Sequence, residues 1–378
     1  MQTLQTAAGM SPEGYPTKAI LKSRDIKSVL GKKVLLAGII STMFQCQENN
    51  GELFATIARG CLCEDDHRDV SWQEILSFTL NYWLFEVQKS AQDPTDCFIK
   101  PICLSEEMSD KSISWGDESI KCSNFLNLDT TFSCKIPEYY MAQIILRIFH
   151  HDYYIFCGAP WRMNVRTGDE EYALASKRIL QVACEPSVGG VALVYAYQFL
   201  FDMFIDPMNL SVITEYYNLN RDYIITRPNT LALITLLIWS CTFVLEGPEI
   251  QLWNNAESIS DRDSLNAEGT FGVKQNELLK DTYIPKESFE QYLLRMYHYL
   301  KIDRSLDVVS YQNNVLLKAN LLERIKGRNN LCGMVRHMRD KFAESYWDLG
   351  REFSKLFDNC LERSMGKTSP TCESMYKV

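Results

Sequence analysis

The residues whose types and spacing best suit chemistry are cations set beside aromatic rings. Pro160-Trp161-Arg162-Met163-Asn164-Val165-Arg166 puts two arginines around a turn, next to a tryptophan. Lys177 and Arg178 follow on a helical stretch, and Arg221 and Arg227 bracket the loop from Asp222 to Thr226. The densest basic run is Arg324, Lys326, Arg328, Arg336, Arg339 and Lys341, broken by Asp340. Guanidinium and ammonium groups neutralise phosphates and release counterions, while aromatic faces stack on unpaired bases. The chemistry implied is a grip on single-stranded RNA through its sugar-phosphate backbone. A solvated helix face explains the 324–341 run nearly as well, and no RRM, KH or zinc-knuckle motif accompanies it.

Catalytic and metal chemistry find less support. Cys61-Leu62-Cys63 followed by His67 gives C-x-C-x3-H, whereas a structural zinc site uses two ligand pairs spaced like C-x2-C and H-x3-H. Unconnected loop thiols and no metal are the expectation. There is no G-x-S-x-G elbow and no cysteine beside a partner base. His150-His151 lies near a helix end, where a cationic imidazole is favourable in any case. Asp202 and Asp206, spaced i and i+4, share a helical face without a third carboxylate to complete a metal site. Ser187-Val188-Gly189-Gly190 has neither phosphate-loop nor dinucleotide-fingerprint spacing and reads as a helix start that needs close packing. No enzyme activity and no cofactor are expected.

The elements that must position these residues are mainly helices. Apolar periodicity and cap residues predict helices over 71–89, 138–157, 168–184, 187–205, 207–218, 230–245, 285–301, 305–326, 331–349 and 350–365. Lys33–Phe44 fits a strand or a short buried helix, and Gly51–Ile57 fits a strand after the turn residues Asn49-Asn50. The layout is a basic N-terminal arm (1–35), a mixed lobe with a few short strands (36–135), a helical lobe (136–365) and a tail (366–378). Polar residues 251–281 read as a long loop. The fold class expected is mainly α, two-lobed, with extended terminal arms.

Totals bound the rest. With 378 residues, 46% hydrophobic and 23% charged, the chain has room for a substantial core. Thr230–Leu245 is the longest apolar stretch, at 16 residues with four hydroxyls, against roughly 20 for a membrane span. A buried core helix, and no span, is expected. The opening residues lack a basic n-region and an apolar h-region. With thirteen cysteines, an odd number, reduced thiols in a cytosolic or nuclear protein are expected, with Cys157, Cys184 and Cys241 buried. The net charge of −9 is uneven: residues 1–35 and 301–378 carry +4 each, leaving −17 on residues 36–300. That asymmetry suits a polyanion partner, and equally basic arms docking on the acidic body of a neighbouring copy.

An arm, a mixed lobe, a helical lobe, basic loops between helices and a tail together resemble the nucleoprotein of a negative-strand RNA virus. The resemblance is one of layout over the whole chain, without a diagnostic motif. It implies two mostly helical lobes that clamp RNA in a cleft without sequence preference. It also implies arms that reach the next protomer, and a place in the virion and the host cytoplasm. Two other readings stay open: a capsid shell subunit of a double-stranded RNA virus, and a helical scaffold subunit of a cellular complex.

Overall fold

A computed structural model describes residues 29–48, 71–91, 136–159, 161–162, 165–206, 210–212, 217, 219–222, 224, 226–250, 287–303 and 305–367. The expected arm (1–20), the strand at 51–57, the candidate ligands Cys61, Cys63 and His67, and the loop at 251–281 lie outside the described residues. So does nearly all of the loop-rich 90–135. The chain divides into two units, Met1–Tyr139 and Tyr140–Val378. The fold is mainly α-helical.

In the first unit, α1 (Val29–Glu48) settles the 33–44 stretch as helix. Leu36, Ile39, Met43 and Cys46 are buried at helical spacing and form one apolar stripe. This stripe meets α2 (Trp72–Ala91), which buries Ile75, Leu76, Leu80, Trp83, Leu84 and Val87. Trp83 Nε1 donates to the carbonyl of Lys32 at 3.1 Å, so the ring's one polar atom is satisfied inside the contact. Ser71 caps α2 by accepting from the Gln73 amide at 3.2 Å.

The second unit is built around α7 (Thr226–Glu246). At 21 residues it is longer than the 16-residue apolar stretch, so length alone does not separate it from a span. Both Thr226–Glu246 and Pro186–Phe204 are long and apolar enough to cross a membrane, yet 78% of each window is buried inside the fold. The hydroxyls of Thr230, Thr235 and Thr242 donate to carbonyls four residues back at 2.8–2.9 Å, which satisfies them without outside partners. Around α7 pack α4 (His150–Phe156), α5 (Asp169–Ala183), α6 (Val191–Phe204), α10 (Cys332–Ala343) and α11 (Asp348–Ser364). Against α6 lie α8 (Phe289–Leu300) and α9 (Val308–Leu321). A Ser288–Gln291 capping box starts α8, and Asp307 caps α9 by accepting from the amides of Val309 and Ser310.

Three expectations are corrected. The stretch 138–157 is two helices, α3 (Pro137–Ile145) and α4, because the Arg147 guanidinium takes the Gln143 carbonyl at 2.7 Å. The Arg147 amide turns to Ile144 instead, tightening the last turn, and Phe149 is extended. The helix expected at 207–218 is absent where the residues are described: β4 (Ser211–Val212) pairs antiparallel with β3 (Ile205–Asp206). Asp206 precedes a proline and is driven extended, and Leu210 has φ +48°. The strands described, β3, β4, β1 (Trp161–Arg162) and β2 (Val165–Arg166), all belong to the second unit, while the strand expected at 51–57 lies outside the described residues. Finally, Cys157 and Cys241 are buried as expected, but Cys184 is exposed, at the C-terminal end of α5.

Candidate nucleic-acid interface

The basic residues singled out by sequence separate into neutralised and free groups. Arg227 pairs with Asp222 at 3.0 Å, and that same carboxylate oxygen accepts the Ile224 amide. Arg328 bonds the Glu246 carboxylate at the end of α7 and also reaches the Leu322 carbonyl. Arg339 bridges Asp340 at 2.7 Å and Asp358 at 3.3 Å. These three guanidiniums are occupied by the fold itself.

Arg178 is paired but still presented. Its Nε donates to Asp152 Oδ2 at 2.6 Å and a second nitrogen reaches the other oxygen, a bidentate grip that fixes the plane of the group. Asp152 is buried, while the Arg178 side chain keeps 43% of its surface exposed. Phe149 lies beside it, 5.9 Å from ring centre to guanidinium carbon. His151 and His150 flank that ring at 5.3 and 6.2 Å. Burial, with repulsion from His151, holds the His150 imidazole down to about 4, so it is neutral at pH 7.

Lys177, Arg324 and Arg336 are exposed, and among the described residues none of them forms an ion pair. Lys326 is also exposed. Arg324 and Lys326 sit on or beside a 3-10 turn after α9, and Arg336 lies on α10. The connection between these helices is rigidly held. Arg295, paired with the buried Glu287, donates to the carbonyls of Lys326 and Gly327 at 3.0 and 2.9 Å. Gly327 has φ +67°, a conformation that favours glycine. From α7's end, Glu249 Oε2 accepts the amides of Leu331 and Cys332 at 2.8 Å each, capping α10 across 82 residues of chain. Arg324, Lys326 and Arg336 therefore stand on or beside a backbone held by these bonds.

For the remaining candidates the backbone is what is described. Arg162 and Arg166 occupy opposite strands of the β1–β2 pair, in the register Trp161↔Arg166 and Arg162↔Val165. That pair joins α4 to α5. Arg221 ends the 3-10 turn Leu219–Arg221. Asp202 is engaged by the Tyr140 hydroxyl, a structural use of that carboxylate. Among the described residues no group of three His, Cys, Asp or Glu side chains could hold a metal ion.

Sequence reasoning missed Phe149 as a partner of Arg178. Its signal was the Phe149-His150-His151 run in a stretch read as unbroken helix. The carboxylates that occupy Arg178 and Arg328 lie 26 and 82 residues away, with nothing local to mark them. No protein-family model, curated protein or solved structure matches this chain.

Proposed function

We propose that this chain is a self-assembling structural protein of the viral nucleoprotein type that encapsidates single-stranded RNA through backbone contacts. One observation carries the reading. In a chain of net charge −9, Arg227, Arg328 and Arg339 are neutralised internally, while Lys177, Arg324 and Arg336 are left exposed without a carboxylate partner among the described residues. Exposed cations on a rigid helical scaffold bind phosphate without reading base edges, which supports a grip lacking sequence preference. The free groups also stand on helices and helix ends, elements that keep their spacing when the backbone of a ligand is laid over them.

The test is the triple charge reversal Lys177→Glu, Arg324→Glu and Arg336→Glu in the full chain. RNA retention should be lost with helical circular dichroism unchanged, and the log–log salt slope should fall by about 2, at about 0.7 per phosphate contact. Unaltered RNA binding would overturn the proposal. The wild-type 260/280 nm absorbance ratio and particle size, with and without ribonuclease, give the assembly half of the test. Ribonuclease-sensitive large particles support the nucleoprotein. A protein-only closed particle points to a capsid shell, and a protein-only monomer to a subunit of a cellular complex.

A further inference from the structure

Phe149 occupies the break between α3 and α4 in an extended conformation (φ −91°, ψ 97°) and keeps 47% of its surface exposed. Planar groups surround it. The His150 and His151 rings lie 4.1 Å apart, and the Tyr154 ring stands roughly edge-on to both, at 6.2 and 6.4 Å. The Arg178 guanidinium is tied along one edge by Asp152, which leaves its faces for stacking. On α5, exposed Leu174 sits one turn before Arg178, and exposed Lys177 shares that stretch of helix. The result is a half-exposed aromatic ring beside a fixed cationic plane in the second unit, with an exposed ammonium on the preceding residue of α5.

We propose that Phe149 and the Asp152-held guanidinium of Arg178 form a stacking platform for one unpaired base of single-stranded RNA, with Lys177 on an adjoining phosphate. This rests on the RNA reading above and adds a base contact that a backbone grip alone does not supply. Charge complementarity selects the occupant. Lys177 has no ion-pair partner among the described residues, and the Asp152 charge is buried beneath Arg178, so the face offers cations to a polyanion. Unpaired bases stack on aromatic rings and on arginine planes alike, and every base has a π face.

The experiment compares an oligoadenylate with an abasic ribose-phosphate oligomer of equal length, bound to the full-length chain at fixed salt. Phe149→Ala should weaken the oligoadenylate about tenfold and leave the abasic oligomer unchanged, while Phe149→Tyr should restore binding. In the wild type, 2-aminopurine within the oligomer should be quenched on binding, a readout independent of how any variant folds. Equal loss on both oligomers, no loss on either, or an unquenched probe overturns the platform. If Phe149→Ala alters particle size but not RNA affinity, the face is a protein contact and the platform is wrong. Retained platform-independent binding that the triple charge reversal abolishes leaves the RNA reading standing while the platform falls. A wild type that binds neither oligomer sinks both.

Discussion

Arg363, near the end of α11, donates to the main-chain oxygen of Phe156 and holds its guanidinium 4.3 Å from the centre of that residue's ring. The same group lies 4.7 and 4.9 Å from Phe243 and Trp239 and donates to the Tyr172 hydroxyl at 2.8 Å. Arg363 is buried, and among the described residues it has no carboxylate partner. Aromatic faces and a carbonyl do the work of a counter-charge, tying α4, α5, α7 and α11 at one point. Arg363→Met should lower stability by about 3 kcal/mol, combining a charge-assisted hydrogen bond with a desolvated cation–π contact. Arg363→Lys should recover little, because a point ammonium does not span the flat cage. Urea midpoints measure both, and a fully stable lysine variant would contradict the account.

Gly189 tests the π-helical turn Pro186–Gly190 that leads into α6. A Cβ there would lie 2.2 Å from the Val182 carbonyl oxygen and 2.8 Å from its carbon, both backbone atoms of α5. Gly189→Ala should therefore destabilise the second unit by about 2–3 kcal/mol, the usual cost of overpacking. Gly38 in α1 is the control: a Cβ there meets nothing within 4 Å. Gly38→Ala should stabilise its helix by about 0.5–1 kcal/mol through backbone entropy. A neutral Gly189→Ala, measured by urea unfolding, would mean the α5–α6 approach relaxes.

These results mark what local sequence specifies. The acidic start of α5 at Asp169, Glu170 and Glu171 was readable because such charges act within the first turn, whereas α8 was expected from residue 285 and starts instead at Phe289, behind the Ser288–Gln291 box. Gly189 was readable too, as a glycine at a helix start that needs close packing. The boundary between α10 and α11 was not. Gly350 suggested the start of the last helix, but the turn is set by Asn220, whose side chain donates to the Glu344 carbonyl and accepts the Tyr346 amide at 2.8 Å each. Those partners are 124 and 126 residues apart in sequence. The charge state of the candidate interface was hidden for the same reason. Whether an arginine is free depends on a carboxylate that only tertiary packing delivers.

Acid should weaken this fold through its histidines. The His150 imidazole binds its proton more weakly in the folded chain than in the unfolded one, at about 4 against 6.5. As pH falls through 6.5 the unfolded state takes up the proton first, so stability is lost between about 6.5 and about 4 and is fully present above that window. His337, stacked on Phe289 at 4.6 Å, is shifted the same way, chiefly by burial, and adds to the loss. Urea midpoints at pH 7 and pH 5 should diverge in the wild type and converge partway in His150→Gln. Identical slopes in the two proteins would remove His150 from the account.

Arg328 and Arg324 stand four residues apart and should behave oppositely when reversed. Arg328 bonds Glu246, and its neighbour Asn329 donates to the Gly247 carbonyl at 3.0 Å, so the α9–α10 connection is stitched to the end of α7. Arg328→Glu would set two carboxylates against each other in a partly buried site and lose the Leu322 contact as well. Its expected cost is about 2–4 kcal/mol, since breaking a pair leaves the surviving charge uncompensated. Arg324→Glu removes an exposed cation with no ion pair among the described residues and should change stability by less than about 0.5 kcal/mol. RNA affinity should respond the other way: lost at matched folding in Arg324→Glu, and altered in Arg328→Glu only to the extent that the fold opens. A double variant, Arg328→Glu with Glu246→Arg, separates the two effects. If restored stability also leaves RNA affinity at the wild-type level, Arg328 is a structural cation. If RNA affinity stays low in the refolded double variant, its guanidinium belongs to the binding face after all.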